Sequence, residues 1–223
     1  MPRHFDEELE QLKEKVLRLG SIVEVMVEYA VASLIDRDSR LAQDTIDSDQ
    51  RADLLEVEID EACIRMLALH QPAAGDLRFV TTAMKISTDL ERMADQAVNI
   101  SQRAIELNDE PQLKPYIDIP IMSQLSQQML RDSLDAFVRK DVGLAREVIE
   151  TDNKVDALKN QVFRELLTFM MGDPTTIPRA IGLLLVSRHL ERVADHATNI
   201  AEMVVFLVEG KNIRHVTPQE QGH

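Results

Sequence analysis

Carboxylates at four-residue spacing are the feature of this chain best placed to do chemistry. Glu91, Asp95 and Asn99 lie four apart, and so do Glu191, Asp195 and Asn199. On a helix each trio forms one stripe. Asp49 with Asp53, and Asp152 with Asp156, show the same spacing. Acidic side chains that converge repel one another, and a bound cation with oxygen ligands offsets that repulsion. Such a donor set suits Mg²⁺, Mn²⁺ or iron, whereas zinc usually takes histidine or cysteine. The plainer reading is a solvated face, with Arg92 and Arg192 in local ion pairs worth ~0.5 kcal/mol or less.

The elements that position these residues are helices. From Phe5 the apolar residues step through Leu9, Leu12, Val16, Leu19, Val23, Met26, Ala30 and Leu34. That is one stripe on a helix of about thirty residues, roughly 45 Å long. Gly20 lies inside it as a soft point rather than a stop. A second helix is predicted from about Arg40 to Leu69, ended by Gln71-Pro72. A third runs from about Asp76 to Leu107, with Asp76 as its N-cap. The segment 109–120, with Pro111, Pro115 and Pro120, reads as a linker. Three more helices follow, over about Ile121–Arg139, Val142–Met170 and Thr175–Val208. The tail 210–223 is polar and predicted to be loosely held.

The second half repeats the first. Ser187–Ile200 (SRHLERVADHATNI) and Ser87–Ile100 (STDLERMADQAVNI) share nine of fourteen residues at an offset of 100. Asp38–Asp53 and Asp141–Asp156 share six of sixteen at an offset of 103. The expected fold is therefore all-α, two tandem three-helix bundles related by duplication, over residues 1–108 and 121–209. Antiparallel hairpins turning at Pro72 and at Asp173-Pro174 would set Asp53 opposite Glu91 and Asp49 opposite Asp95. In the second copy they set Asp156 opposite Glu191 and Asp152 opposite Asp195. Four carboxylates then meet in each copy within about one turn, ~6 Å of helix length.

Composition excludes several roles. The net charge of −14 leaves no basic footprint for nucleic acid or anionic lipid. The single cysteine, Cys63, cannot form an internal disulfide, sits in a helical pattern and reads as a buried filler in a cytosolic protein. No apolar run approaches the ~20 residues of a membrane helix, and the N-terminus lacks the pattern of a signal peptide. Glu-x-x-His, needed twice in di-iron bundles, occurs only at Glu220 and His223. His196 has Gln96 as its equivalent in the other repeat, so it does not belong to a common ligand set. His189 reads as a surface or boundary residue. Met170, Met171 and the other methionines fall on apolar stripes, which favours core over a partner groove. No phosphate-cradling loop or nucleophile elbow is present. A metal-dependent phosphoester hydrolase and a metal-storage bundle are both readings the acidic clusters allow.

Leu90-Glu91-Arg92-Met93-Ala94-Asp95 and Leu190-Glu191-Arg192-Val193-Ala194-Asp195, within a doubled three-helix unit, resemble the PhoU family of bacterial phosphate-regulon regulators. Gly75-Asp76-Leu77-Arg78, Asp60-Glu61-Ala62-Cys63 and Ile213-Arg214-His215-Val216 extend the likeness over the whole chain. Ala94 and Ala194 stand where the family often has glycine, one small residue for another. The resemblance implies two three-helix bundles, frequent dimerisation, and metal binding at Glu91 with Asp95 and Glu191 with Asp195. It carries over less directly to Asp49 with Asp53 and Asp152 with Asp156. It also implies a negative regulator that links the ATPase subunit of the phosphate ABC transporter to the phosphate-sensing histidine kinase, without enzymatic activity.

Overall fold

The computed structural model describes residues 2–211 and 213, with side chains from Phe5 onward. Six helices carry the fold: α1 (Pro2–Ile35), α2 (Ser39–His70), α3 (Ala74–Asn108), α4 (Asp118–Arg139), α5 (Val142–Gly172) and α6 (Ile177–Glu209), with a 3₁₀ turn at Pro174–Thr176 before α6. Helices α1, α2 and α3 pack together, as do α4, α5 and α6. Of the sequence motifs above, Arg214, His215, Val216, Glu220 and His223 lie outside the described residues.

The α1 stripe enters the core from Leu12 onward, with Phe5 and Leu9 partly buried against it. Leu12, Val16, Leu19, Val23, Ala30 and Leu34 are buried, each larger one worth about 1.5–3 kcal/mol on leaving water. Duplication also fixes the turn between the first two helices of each bundle. Arg37 (φ 57°) and Lys140 (φ 54°) are equivalents at the offset of 103, and both take the left-handed conformation. The next residues, Asp38 and Asp141, then cap α2 and α5. Asp38 Oδ1 accepts from the backbone N–H groups of Arg40 and Leu41, each at 3.0 Å, and Asp141 Oδ1 from Leu144 at 3.1 Å.

Several boundaries differ from expectation. Helix α3 begins two residues before Asp76, with extended Ala73 as N-cap and no side-chain cap. Asp76 thus acts from the first turn, where a negative charge complements the helix dipole. Helix α4 begins at Asp118 rather than Ile121, so Pro120 is helical. Its missing N–H falls among the first-turn donors that have no intrahelical partner anyway. The linker shortens to 109–117 and is strapped down. Arg37 donates to the carbonyls of Asn108 (2.5 Å) and Glu110 (2.7 Å), Arg179 to that of Pro111 (3.0 Å), and buried Lys114 pairs with Glu165. Met171, near the end of α5, is 79% exposed, whereas Met26, Met66, Met93, Met122, Met129 and Met203 are in the core.

The two bundles meet along α3 against α6 and α1 against α4. Gly20 is where α4 comes close: a Cβ there would stand 2.2 Å from Leu134 Cδ1. Arg131 of α4 pairs with Glu24 of α1 across the same contact. On the other side, His196 Nδ1 lies 2.8 Å from Asp89 Oδ1, and His189 Nδ1 lies 2.8 Å from Gln96 Oε1. Adding 100 to one member and subtracting it from the other converts either pair into the other. Helices α3 and α6 therefore cross as equivalents about a pseudo-two-fold axis.

Candidate functional site

Each hairpin presents its carboxylates on the surface, half-buried or exposed, at mid-length. Asp49, Asp53, Glu91 and Asp95 lie within electrostatic reach of one another. Burial, then the charges of Asp53 and Asp95, push the Asp49 carboxyl up to about 6. Glu91 is raised by burial and then by Asp95, Asp53, Glu56 and Asp49. Asp95 is raised by burial and Asp53, with Arg92 opposing. The core beneath, including Leu90, Met93, Ala94 and Ala97, is fully buried. It fixes the rotation of α3 and so points the intervening stripe at α2.

The second hairpin repeats the arrangement. Asp152 is pushed up to about 6 by burial and then by Asp195, Asp156 and Glu191. Asp195 is raised by burial, Glu191 and Asp156, with His196 and Lys159 opposing. Lys159 Nζ donates to Asp156 Oδ1 at 2.8 Å and to Glu191 Oε1 at 2.6 Å, joining α5 to α6.

All eight sequence-derived carboxylates thus fall into two clusters. Their donor chemistry, all oxygen and mutually repelling, fits a hard cation. Among the described residues, though, no three carboxylate, histidine or cysteine groups already converge as a ligand set. The two asparagines of the stripes part ways. Asn99 donates to the Asp95 carbonyl of its own helix (2.8 Å), while Asn199 reaches across the bundle seam to Asp89 (3.2 Å). His189 sits half-buried at that seam, where burial, then Arg192, Arg103 and Arg188, push its pKa down to about 4. The Cys63 thiol is buried 3.6 Å from the Val80 carbonyl and pushed up to about 12, first by burial and then by Asp60. It is inert filler, not a nucleophile.

Three participants were missed at the sequence level: Glu56, Lys159 and Asp89. The first two are equivalents at the offset of 103, so the alignment that located the aspartates also contained them. Asp89 faces the other bundle, and nothing local to either repeat announces that contact.

Fold and site together define a duplicated helical-bundle protein whose two hairpins each expose an oxygen-rich acidic cluster. Comparison with known proteins makes the family specific. The PhoU domain model matches twice, over residues 16–104 and 119–204. The chain is 46% identical over 215 residues to the phosphate-specific transport system accessory protein PhoU homolog of Aquifex aeolicus, covering 96% of this chain and 97% of that protein. It is 36% identical to the phosphate-specific transport system accessory protein PhoU of Escherichia coli, covering 97% and 90%. The crystal structure of PhoU from Pseudomonas aeruginosa superimposes with a TM-score of 0.90 at 42% identity, covering 93% of this chain and all of that one. That of the phosphate transport system regulatory protein PhoU from Streptococcus pneumoniae gives 0.87 at 32% identity, covering 94% and 99%. The chain belongs to the PhoU family.

Proposed function

We propose that the chain is a non-enzymatic regulatory adaptor of phosphate homeostasis, restraining phosphate uptake and phosphate-regulated signalling when phosphate is plentiful. On this reading it works in the cytoplasm as a homodimer. It links the ATPase subunit of a phosphate ABC transporter to a membrane-bound, phosphate-sensing histidine kinase, and reaches the membrane only through those partners. The observation that carries the reading is the match along both bundles to proteins named as accessory to phosphate-specific transport. No helix among the described residues is long and apolar enough to cross a membrane. The net charge of −14 suits a partner with a basic patch, speeding encounter more than it raises affinity.

Within this role Asp49, Asp53, Glu91 and Asp95, and Asp152, Asp156, Glu191 and Asp195, are the groups that would hold Mg²⁺, Mn²⁺ or iron. Such an ion supplies the positive charge that lets two acidic helices stay together. The repulsion felt at Asp49 from Asp53 and Asp95, and at Asp152 from Asp195, Asp156 and Glu191, supports this, since a cation there would relieve it. The test is a deletion strain carrying a reporter for a phosphate-regulated gene. Expression in high phosphate should rise on deletion and fall again with the wild-type gene. Unchanged repression in the deletion strain would sink the proposal.

A further inference from the structure

Duplication supplies an internal control for every side chain of the two clusters, and one position breaks the correspondence. The offset that pairs Asp49 with Asp152 and Asp53 with Asp156 also pairs Glu56 with Lys159. Both side chains belong to their clusters. Glu56 feels Asp60 first and then Asp53, and its charge is felt by Glu91. Lys159 spans Asp156 and Glu191, one carboxylate from each helix of its hairpin. The first cluster therefore gathers five carboxylates, Asp49, Asp53, Glu56, Glu91 and Asp95, with Arg92 opposing only at Asp95. The second gathers four and contains an ammonium from the chain itself.

We propose that Lys159 is a tethered counter-cation standing where the second cluster would otherwise take a divalent ion, so that the chain fills its first cluster before its second. This rests on the reading of the clusters as cation sites. The physical basis is simple. An incoming divalent ion at the first cluster relieves the repulsion of five carboxylates and finds Glu56 as a further oxygen donor. At the second cluster it meets a positive charge that already holds Asp156 and Glu191, and it must displace that charge. A lysine suits the role because its ammonium rides on a flexible four-carbon stem and can swing away. The second cluster is thereby weakened rather than closed, and the two fill in sequence as cation concentration rises.

The test is titration of full-length protein with Mn²⁺ at pH 7, free ion being followed by electron paramagnetic resonance. The Asp152→Asn/Asp195→Asn variant, which disables the second cluster, assigns each class of sites to its cluster. Wild type should show a tight and a weak class of sites, and Asp152→Asn/Asp195→Asn should lose only the weak one. Glu56→Lys should remove the tight class. Lys159→Glu should tighten the weak class by about 10–100-fold, the range seen when groups beside metal ligands are changed. Lys159→Gln, a mild change at a partly exposed position, should give a smaller shift the same way. In the double exchange, Glu56→Lys with Lys159→Glu, the tight class should be the one that Asp152→Asn/Asp195→Asn removes. Loss of the tight class from Asp152→Asn/Asp195→Asn, or two classes unmoved by Glu56→Lys, Lys159→Glu and Lys159→Gln, overturns the inference while leaving the cation sites standing. Absence of any Mn²⁺ binding to wild type removes the cation sites themselves, and the inference with them.

Discussion

The α2–α3 hairpin and the α5–α6 hairpin keep the same carboxylates at the same spacing over equally buried leucines, yet their surroundings have diverged. In the first, Glu56 adds a negative charge; in the second, Lys159 cancels one. At the seam, Asp89 and Gln96 of α3 meet His196 and His189 of α6, so equivalent positions hold an acid–imidazole pair on one side and an amide–imidazole pair on the other. The difference separates what the bundle needs from what the clusters do. Packing explains the retained apolar residues. It does not explain carboxylates retained on both surfaces at an electrostatic cost, which is the strongest internal argument that they have a ligand.

The comparison breaks most readily in the core. Leu90 and Leu190 are equivalents, both fully buried, and Leu90→Ala or Leu190→Ala should each cost about 2–5 kcal/mol in urea unfolding. If one were silent, the two bundles would not be equally packed and their clusters could not be compared.

Acidification gives the next effect. Asp49 and Asp152 have folded pKa values near 6 against an ordinary 3.8, so the folded state binds protons more readily than the unfolded one. Their contribution to stability is full below about pH 4 and is lost as pH rises through 6. It amounts to on the order of 1 kcal/mol each after discounting for the solvent that still reaches them. His189 has the opposite sign: with its folded pKa near 4, stability is lost as pH falls from 6.5 through 4. Asp49→Asn and Asp152→Asn should each flatten part of the gain seen on acidification in cation-free buffer, and His189→Gln should steepen it. Unfolding midpoints between pH 4 and 7.5 decide this.

The duplicated caps sharpen the comparison at smaller scale. Asp38→Ala and Asp141→Ala should each cost about 1 kcal/mol, Asp38 the more, since its carboxylate accepts from two backbone N–H groups where Asp141 accepts from one. Smallest is Lys159→Gln, whose loss without divalent ions should be ~0.5 kcal/mol, as for a partly exposed pair. Added Mn²⁺ should restore it, readable as the thermal midpoint with and without the ion.

Most of the fold was legible in the sequence. Long helices with strong apolar stripes and proline-marked turns leave few alternatives, and a repeat at offsets of 100 and 103 fixes the architecture. Hairpin arithmetic located the facing carboxylates because neighbouring antiparallel helices are a local affair. What escaped was long-range or conformational. Gly20 read as a soft point, when its missing Cβ makes room for Leu134 of another bundle. Asp89 found its partner 107 residues away. The prolines showed a linker, but the straps from Arg37 and Arg179 that hold it down were not visible in the sequence. Lys159 was passed over since a lysine on an acidic face looks like ordinary surface until the distances show it shared by two helices.

The most direct test of the central claim, that both clusters are cation sites, is elemental analysis of untagged protein purified without chelator and supplemented with Mg²⁺, Mn²⁺ and iron. It is set beside a variant with Glu91, Asp95, Glu191 and Asp195 changed to alanine. Metal retained by the wild type and lost from a still-helical variant is the predicted result. Equal metal in both, or none in the wild type after supplementation, would contradict it and leave the carboxylates as a solvated or partner-facing surface.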